Sequence, residues 1–318
     1  MKFAVSPEQR QFSESLHDLL NGADTADVVR SWAEGRHEPG LKLWRGLADL
    51  GVPALLVSEA DGGLEASCVD IVVAFEALGY HAVPGPIVET AVVAPTVVSG
   101  ERAGRLAGGE ILATVLTPLA LDADVAYLCL ALRDGQVYEV QDPKLKPVSS
   151  IDPARRLFRV DGHQVEIPGD GAKAFDLGVL AVAAQLLGAG QWLLDAATAY
   201  ATQRQQYGKP IGQYQAIKHL LADVVTHLEL ARPLVHGAAV AAQDDSASLS
   251  RDVSAAKVKA GDAAYLAART ALQVHGAIGY TAEHDLGLRL AKVRALLGAW
   301  GTATFHRERV LESLVGAR

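Results

Sequence analysis

Cysteine is nearly absent. Cys68 and Cys129 are the only two in 318 residues, too few and too isolated for a disulfide framework or a cysteine zinc site. A surplus of positive charge is missing as well. The net charge of −8 and pI near 5.7 argue against nucleic acid or an anionic membrane as main partner, since each requires a face rich in Lys and Arg. The opening Met1-Lys-Phe-Ala-Val lacks the apolar core of a secretory signal, so a cytoplasmic protein is expected. The longest apolar stretch, Leu177 to Leu194, is interrupted by Gln185, Gln191 and three glycines, and reads as a buried helix rather than a membrane span. Neither Gly-x-Ser-x-Gly nor His-Glu-x-x-His occurs, and Gly188-x-Gly190 lacks the third glycine and the preceding strand of a dinucleotide fingerprint.

What is abundant is apolar helix-forming sequence. Half of the residues are hydrophobic, enough for a large core in two or three packed regions. Ser6 and Pro7 open an amphipathic helix with Phe12, Leu16, Leu19 and Leu20 on one face. A second helix starts near Leu41 and stops at Gly51, and a third runs from Ser67 to Leu78 and is closed by Gly79. From Gly104 to Ala172 short β-like runs take over: 111–116, 125–132, 136–140 and 164–167. Arg133-Asp134-Gly135 and Val160-Asp161-Gly162 are the hairpin candidates. Beyond Phe175 the pattern predicts long helices over 175–206, 213–242, 252–274, 285–298 and 302–315, an antiparallel bundle. The fold class is therefore mainly α with a small β insert, in three domains: 1–100, 101–172 and 173–318.

Two segments of the C-terminal half carry the most specific pattern: Arg204-Gln-Gln-Tyr207-Gly208-Lys-Pro-Ile-Gly-Gln-Tyr214-Gln215 and Gln273-Val274-His275-Gly276-Ala277-Ile-Gly279-Tyr280. Arg204 ends a predicted helix, where the planar guanidinium fork suits a diphosphate. At Gly276 a helix ends on a small residue, so backbone amides and the Gln273 amide can approach a ligand closely. Singly, each residue has a plainer role: Arg204 as a helix-end cation, Gly276 and Gly279 as caps, Tyr207 as core. Both strings in order are not explained that way.

With the helix–sheet–helix order, these segments resemble the acyl-CoA dehydrogenase family over nearly the whole chain. Weaker likenesses lie at Phe3 to Arg10, Leu43 to Gly51, Asp61-Gly62-Gly63, Phe75 to Gly79 and Pro84-Gly85-Pro86. The resemblance implies an FAD cofactor. It places Arg204, Tyr207, Tyr214 and Gln215 on the adenosine-diphosphate half of FAD, Gln273, Val274, His275, Gly276 and Ala277 on it across a subunit interface, and Thr302 on the flavin. It also implies dehydrogenation of an acyl-CoA to a trans-2-enoyl thioester, which requires a carboxylate base in an apolar pocket.

That base is missing from both positions the family uses. The residue before Gly301-Thr302 is Trp300, and the alternative position falls at Gly178. Asp176 matches a substrate-side Asp, but its usual Arg partner is Val179. The resemblance thus implies a subunit that contacts FAD without a base, paired with a full-length paralogue in an α2β2 heterotetramer. Bulky substrates such as steroid side-chain acyl-CoA thioesters are expected there, with the ring of Trp300 either filling the vacated cleft or lining a sterol-sized substrate pocket. Two alternatives stand beside it. One is a self-sufficient enzyme with a displaced base at Glu283, His284 or Asp285. The other is a scaffold subunit that binds no FAD.

Overall fold

The computed structural model describes residues 5–281 and 284–316. Phe3, part of one weak likeness, and Glu283, one of the displaced-base candidates, lie outside them. The chain begins with α1 (Pro7–Gly22), capped by Ser6, whose side chain accepts from the Gln9 amide while Gln9 reaches back to the Ser6 amide. Then come α2 (Thr25–Ala33), α3 (Glu38–Asp49), α4 (Cys68–Tyr80) and α5 (Glu101–Ala107). α2 was not expected, and α5 covers Gly104, where the β region was expected to start.

Gly79 does not close α4, which continues through Tyr80. Its role is close approach: a Cβ at Gly79 would stand 2.2 Å from the Gln185 carbonyl oxygen. A π-helical turn, Glu89–Val93, follows α4.

The sheet contains β1 (Ala113–Leu116), β2 (Ala120–Leu121), β3 (Leu128–Arg133), β4 (Gln136–Val148) and β5 (Leu157–Ile167), in the order β1-β3-β4-β5-β2. The β3–β4 hairpin turns at Asp134 and Gly135, both at positive φ, as the Asp-Gly pair predicts. Val160-Asp161-Gly162 is not a turn. These residues sit inside β5, opposite a register shift in β4 between Gln141 and Lys144. Gly162 lies where a Cβ would stand 2.7 Å from the Gln141 carbonyl oxygen, so the glycine fits the bulge.

The C-terminal helices follow the hydrophobic period closely: α6 (Gly171–Gln203), α7 (Gln215–Gln243), α8 (Leu249–His275), α9 (Leu286–Leu296) and α10 (Ala303–Gly316). Two-residue strands β6 (Gln205–Gln206) and β7 (Lys209–Pro210) form the ribbon between α6 and α7. α6 is long and apolar enough to cross a membrane, yet 89% of its most apolar window is buried inside the protein. It is the central pillar, touched by α4, α7, α8 and α9. One continuous core runs from α1 and α4 through α6 to α8, where Ala256, Ala260, Ala263, Ala264 and Ala267 let backbones approach.

Candidate functional site

Two regions draw together the residues singled out in the sequence. The first lies where α6 and α8 end. α6 stops at Gln203, and Arg204 turns into extended backbone while its amide still reaches Tyr200. Tyr207, at φ +50°, and Gly208, at φ +79°, form the tip of the ribbon, and Tyr207 is 94% exposed. The Tyr214 hydroxyl donates to the Gln206 carbonyl at 3.1 Å, and the Lys209 ammonium lies 4.3 Å from the centre of the Tyr214 ring. α8 stops at His275 because Gly276 takes φ +63°, with open space where a Cβ would go.

His275 is locked by its surroundings. Its Nδ1 hydrogen goes to the Ala271 carbonyl at 2.8 Å and its ring stacks on Tyr200 at 4.5 Å. Burial is the main cause of a lowered pKa, which leaves a neutral ring with Nε2 as acceptor.

Between these ends opens a cavity of about 480 Å³, lined by Arg204, Tyr207, Tyr214 and the run Gln273 to Ala277. Tyr200, Gln206 and Ile211 also line it and were not foreseen. Tyr200 had a signal, since it stands one helical turn before Arg204. Gln215, the first residue of α7, is exposed and not part of this wall. Arg204 is exposed and forms no ion pair among the described residues. A fork-shaped cation, a polar amide and an open glycine corner, all reachable from outside, suit a diphosphate-bearing nucleotide.

The second region is the cleft between the sheet and the end of α9. Trp300 stands at φ +57°, an unusual conformation for a bulky residue, followed by Gly301 at φ +104°. This turn drives the indole inward until it is 2% exposed. The ring occupies the space above Gly178, where a Cβ would stand 2.7 Å from it, and Phe175 packs at 5.6 Å between ring centres. Both positions from which a carboxylate was expected are therefore taken up by one packing contact.

A second layer fixes the Trp300 turn. His306 Nε2 donates to the Trp300 carbonyl at 2.9 Å, and its Nδ1 faces the Ser254 hydroxyl at 3.1 Å. Burial pushes the His306 pKa down to about 4, so the ring stays neutral and can serve both contacts. Arg309 bonds Ser254 and pairs with Asp176 at 2.6 Å. Asp176 thus has its arginine after all: α10 supplies it, in place of the residue at Val179.

The Trp300 Nε1 hydrogen points to Glu89 Oε1 at 3.3 Å. Glu89, on the π-helical turn, is buried, and its Oε2 has no hydrogen-bond partner among the described residues. Burial raises its pKa, with Arg155 the strongest opposing influence. Glu89, Trp300, Arg155 and Arg294 line one cavity of about 310 Å³.

Thr302 accepts from the Phe305 amide at 3.3 Å, opening α10, and lines an adjoining cavity of about 590 Å³ with Lys257 and Arg294. It does not share the cavity of Arg204. Of the displaced-base candidates, Asp285 pairs with Arg30 at 2.5 Å, and His284 meets the His275 ring edge-on.

The sequence matches the family model for the acyl-CoA dehydrogenase N-terminal domain over residues 6–102 and that for the C-terminal domain over residues 171–315. The chain belongs to the acyl-CoA dehydrogenase family. It is 31% identical over 291 residues to "Acyl-CoA dehydrogenase IpdE2" of Mycolicibacterium smegmatis, covering 89% of this chain and 91% of that one. Solved acyl-CoA dehydrogenases share the fold. The Tcur3481-Tcur3483 steroid ACAD G363A variant superposes with a TM-score of 0.87 at 20% identity, over 98% of each chain. The ChsE4-ChsE5 complex from Mycobacterium tuberculosis gives 0.86 at 20% identity, over 99% of each. A glutaryl-CoA dehydrogenase from Mycobacterium smegmatis in complex with FADH2 gives 0.82 at 15% identity, over 98% of this chain and 95% of that one. At these identities the superpositions speak for the acyl-CoA dehydrogenase fold alone.

Proposed function

We propose that this chain is the base-less, FAD-contacting subunit of a cytoplasmic heteromeric acyl-CoA dehydrogenase, an α2β2 assembly with a full-length paralogue. The assembly introduces the α,β double bond of an acyl-CoA thioester, with steroid side-chain or other bulky acyl groups as substrates. The observation that carries this reading is the packing of Trp300 on Gly178. A family member working alone needs a carboxylate at one of those two places, and here an indole and a glycine fill the space together.

The nucleotide half of FAD fits the cavity at the helix ends. Arg204 forks onto a diphosphate, the Gln273 amide and the Gly276 backbone approach the ligand, and Tyr214 and His275 wall it. Gln215 adds a contact from the start of α7, and Thr302 meets the flavin from the separate cavity beside the Trp300 cleft. Bound there, FAD supplies the hydride acceptor of the dehydrogenation. Residues 173–318 form the domain that carries the cofactor contacts, and Glu89 of domain 1–100 and the sheet of domain 101–172 frame the blank cleft together with Arg294 and Trp300. The sequence relative is named an acyl-CoA dehydrogenase, and two structural relatives are named as a steroid enzyme and as a two-component complex, in keeping with this reading.

Co-expression with a full-length acyl-CoA dehydrogenase paralogue tests it. The expected result is one FAD per heterodimer, turnover by the assembly, and none by this chain alone. A homo-oligomer of this chain that holds flavin and is bleached by an acyl-CoA would overturn the proposal.

A further inference from the structure

The cleft that lost its base is not simply filled. Trp300 occupies one wall, and about 310 Å³ remains open beside it. The polar groups around that space have an order from inside to outside. Glu89 is 2% exposed at the inner end, with Oε1 taken by the Trp300 N–H and Oε2 without a partner among the described residues. Arg155 is half-buried and Arg294 is exposed, both on the same cavity. Arg156 pairs with Asp124 at 2.5 Å, whereas neither Arg155 nor Arg294 forms an ion pair among the described residues. The rest of the lining is mixed: Pro118, Leu121 and Leu157 make an apolar wall, and Thr117, Ser149 and Ser150 add polar groups.

A buried carboxyl oxygen without a hydrogen bond costs folding free energy, and an apolar residue of similar size would avoid that cost. The π-helical turn that presents it is a rare form, frequent at functional sites. We infer that this cleft binds a small organic acid carrying a hydroxyl group: Arg155 and Arg294 take its carboxylate, and Glu89 Oε2 takes its hydroxyl. An inorganic oxyanion would leave the apolar wall and Glu89 unused. A dicarboxylate would have to strip water from a second negative charge at the buried inner end. Burial raises the pKa of Glu89, and in its protonated form a carboxyl oxygen can donate to a hydroxyl where a carboxylate can only accept from one. The inference goes beyond the proposed function and stands whether or not the cavity of Arg204 holds FAD.

The full-length chain is titrated by isothermal calorimetry with trans-4-hydroxycyclohexanecarboxylate, cyclohexanecarboxylate and cyclohexanol. The hydroxy acid should bind roughly tenfold more tightly than the plain acid, and the alcohol should not bind, since each lost hydrogen bond to a charged or buried group weakens binding by about that factor. Arg155→Ala and Arg294→Ala should each weaken both acids about tenfold. Glu89→Leu should abolish the preference for the hydroxy acid while keeping the plain acid, and Glu89→Gln, whose amide still bonds a hydroxyl, should retain the preference. Circular dichroism verifies that each variant is folded. The inference fails if no acid binds, if both arginine variants bind as the parent does, or if Glu89→Leu keeps the preference.

Discussion

The left-handed turn at Trp300 costs on the order of 1–3 kcal/mol for a residue of its bulk, and the contacts around it outweigh that cost. The indole fills the space over Gly178, bonds Glu89, and has its carbonyl held by His306. Trp300→Ala should lose about 3–5 kcal/mol of stability. Gly178→Ala should lose about 1–3 kcal/mol, because its Cβ would overlap the ring. In the double variant the glycine change should cost almost nothing, since the atoms it strikes are gone. Urea denaturation of the four proteins measures this coupling, and strictly additive losses would refute the packing account. Asp122 offers a test in pH. Its Oδ1 takes the Trp32 N–H at 3.0 Å, and burial pushes its pKa from 3.8 up to about 7. Between those values the native state keeps a proton that the unfolded state has released. This group's contribution is therefore full below the unfolded pKa and declines as pH rises through the folded one. Relative to Asp122→Asn, the parent should lose stability steadily from pH 4 to 7 and then level off; a difference that stays flat across that range would contradict the assignment.

Among the elements, the α4–α6 contact shows what glycine means in this chain. A Cβ at Gly188 would stand 1.9 Å from the Glu76 carbonyl oxygen, and one at Gly79 would stand 2.2 Å from that of Gln185. The helices meet backbone to backbone, with no room for a methyl group. Gly188→Ala should destabilise by about 3 kcal/mol or more, toward the upper end for overpacking, because backbone rather than a movable side chain is struck. Thermal unfolding measures this, and an unchanged midpoint would show that α4 can shift away at no cost. Close backbone approach at glycine also explains two misreadings. Gly79 has the residue type of a helix stop and Gly162 that of a turn, but the first is held in α4 by α6 and the second sits in a bulge of β4–β5. Residue type gives the permission, and the packed neighbour decides its use.

At the scale of the whole molecule, the cavity between Arg204 and Gly276 opens outward, and Tyr207 at its rim is 94% exposed. A site so open is finished by another chain or left shallow. In the proposed assembly with a full-length paralogue, Arg204→Ala should lower FAD content with the assembly intact by size exclusion. Removing a charge-assisted bond costs about 1.5–3 kcal/mol, on the order of a tenfold to hundredfold loss of affinity. Unchanged flavin content would remove Arg204 from the proposed FAD contacts.

The periodicity of apolar residues was enough to lay out the long helices, because burial against a neighbour demands that repeat whichever neighbour it is. The two C-terminal strings, and Trp300 and Gly178 at the two positions where a carboxylate was expected, were legible too, since these are matters of residue type at fixed chain positions. What sequence could not carry was every decision made by atoms far apart in the chain: that Trp300 closes on Gly178, that Asp176 finds its arginine at Arg309, that Thr302 stands in a different cavity from Arg204, and that Glu89 faces the blank cleft. Those pairings follow from how α6, α8, α10 and the sheet pack, and a side chain's role there depends on what the fold brings within a few ångströms of it.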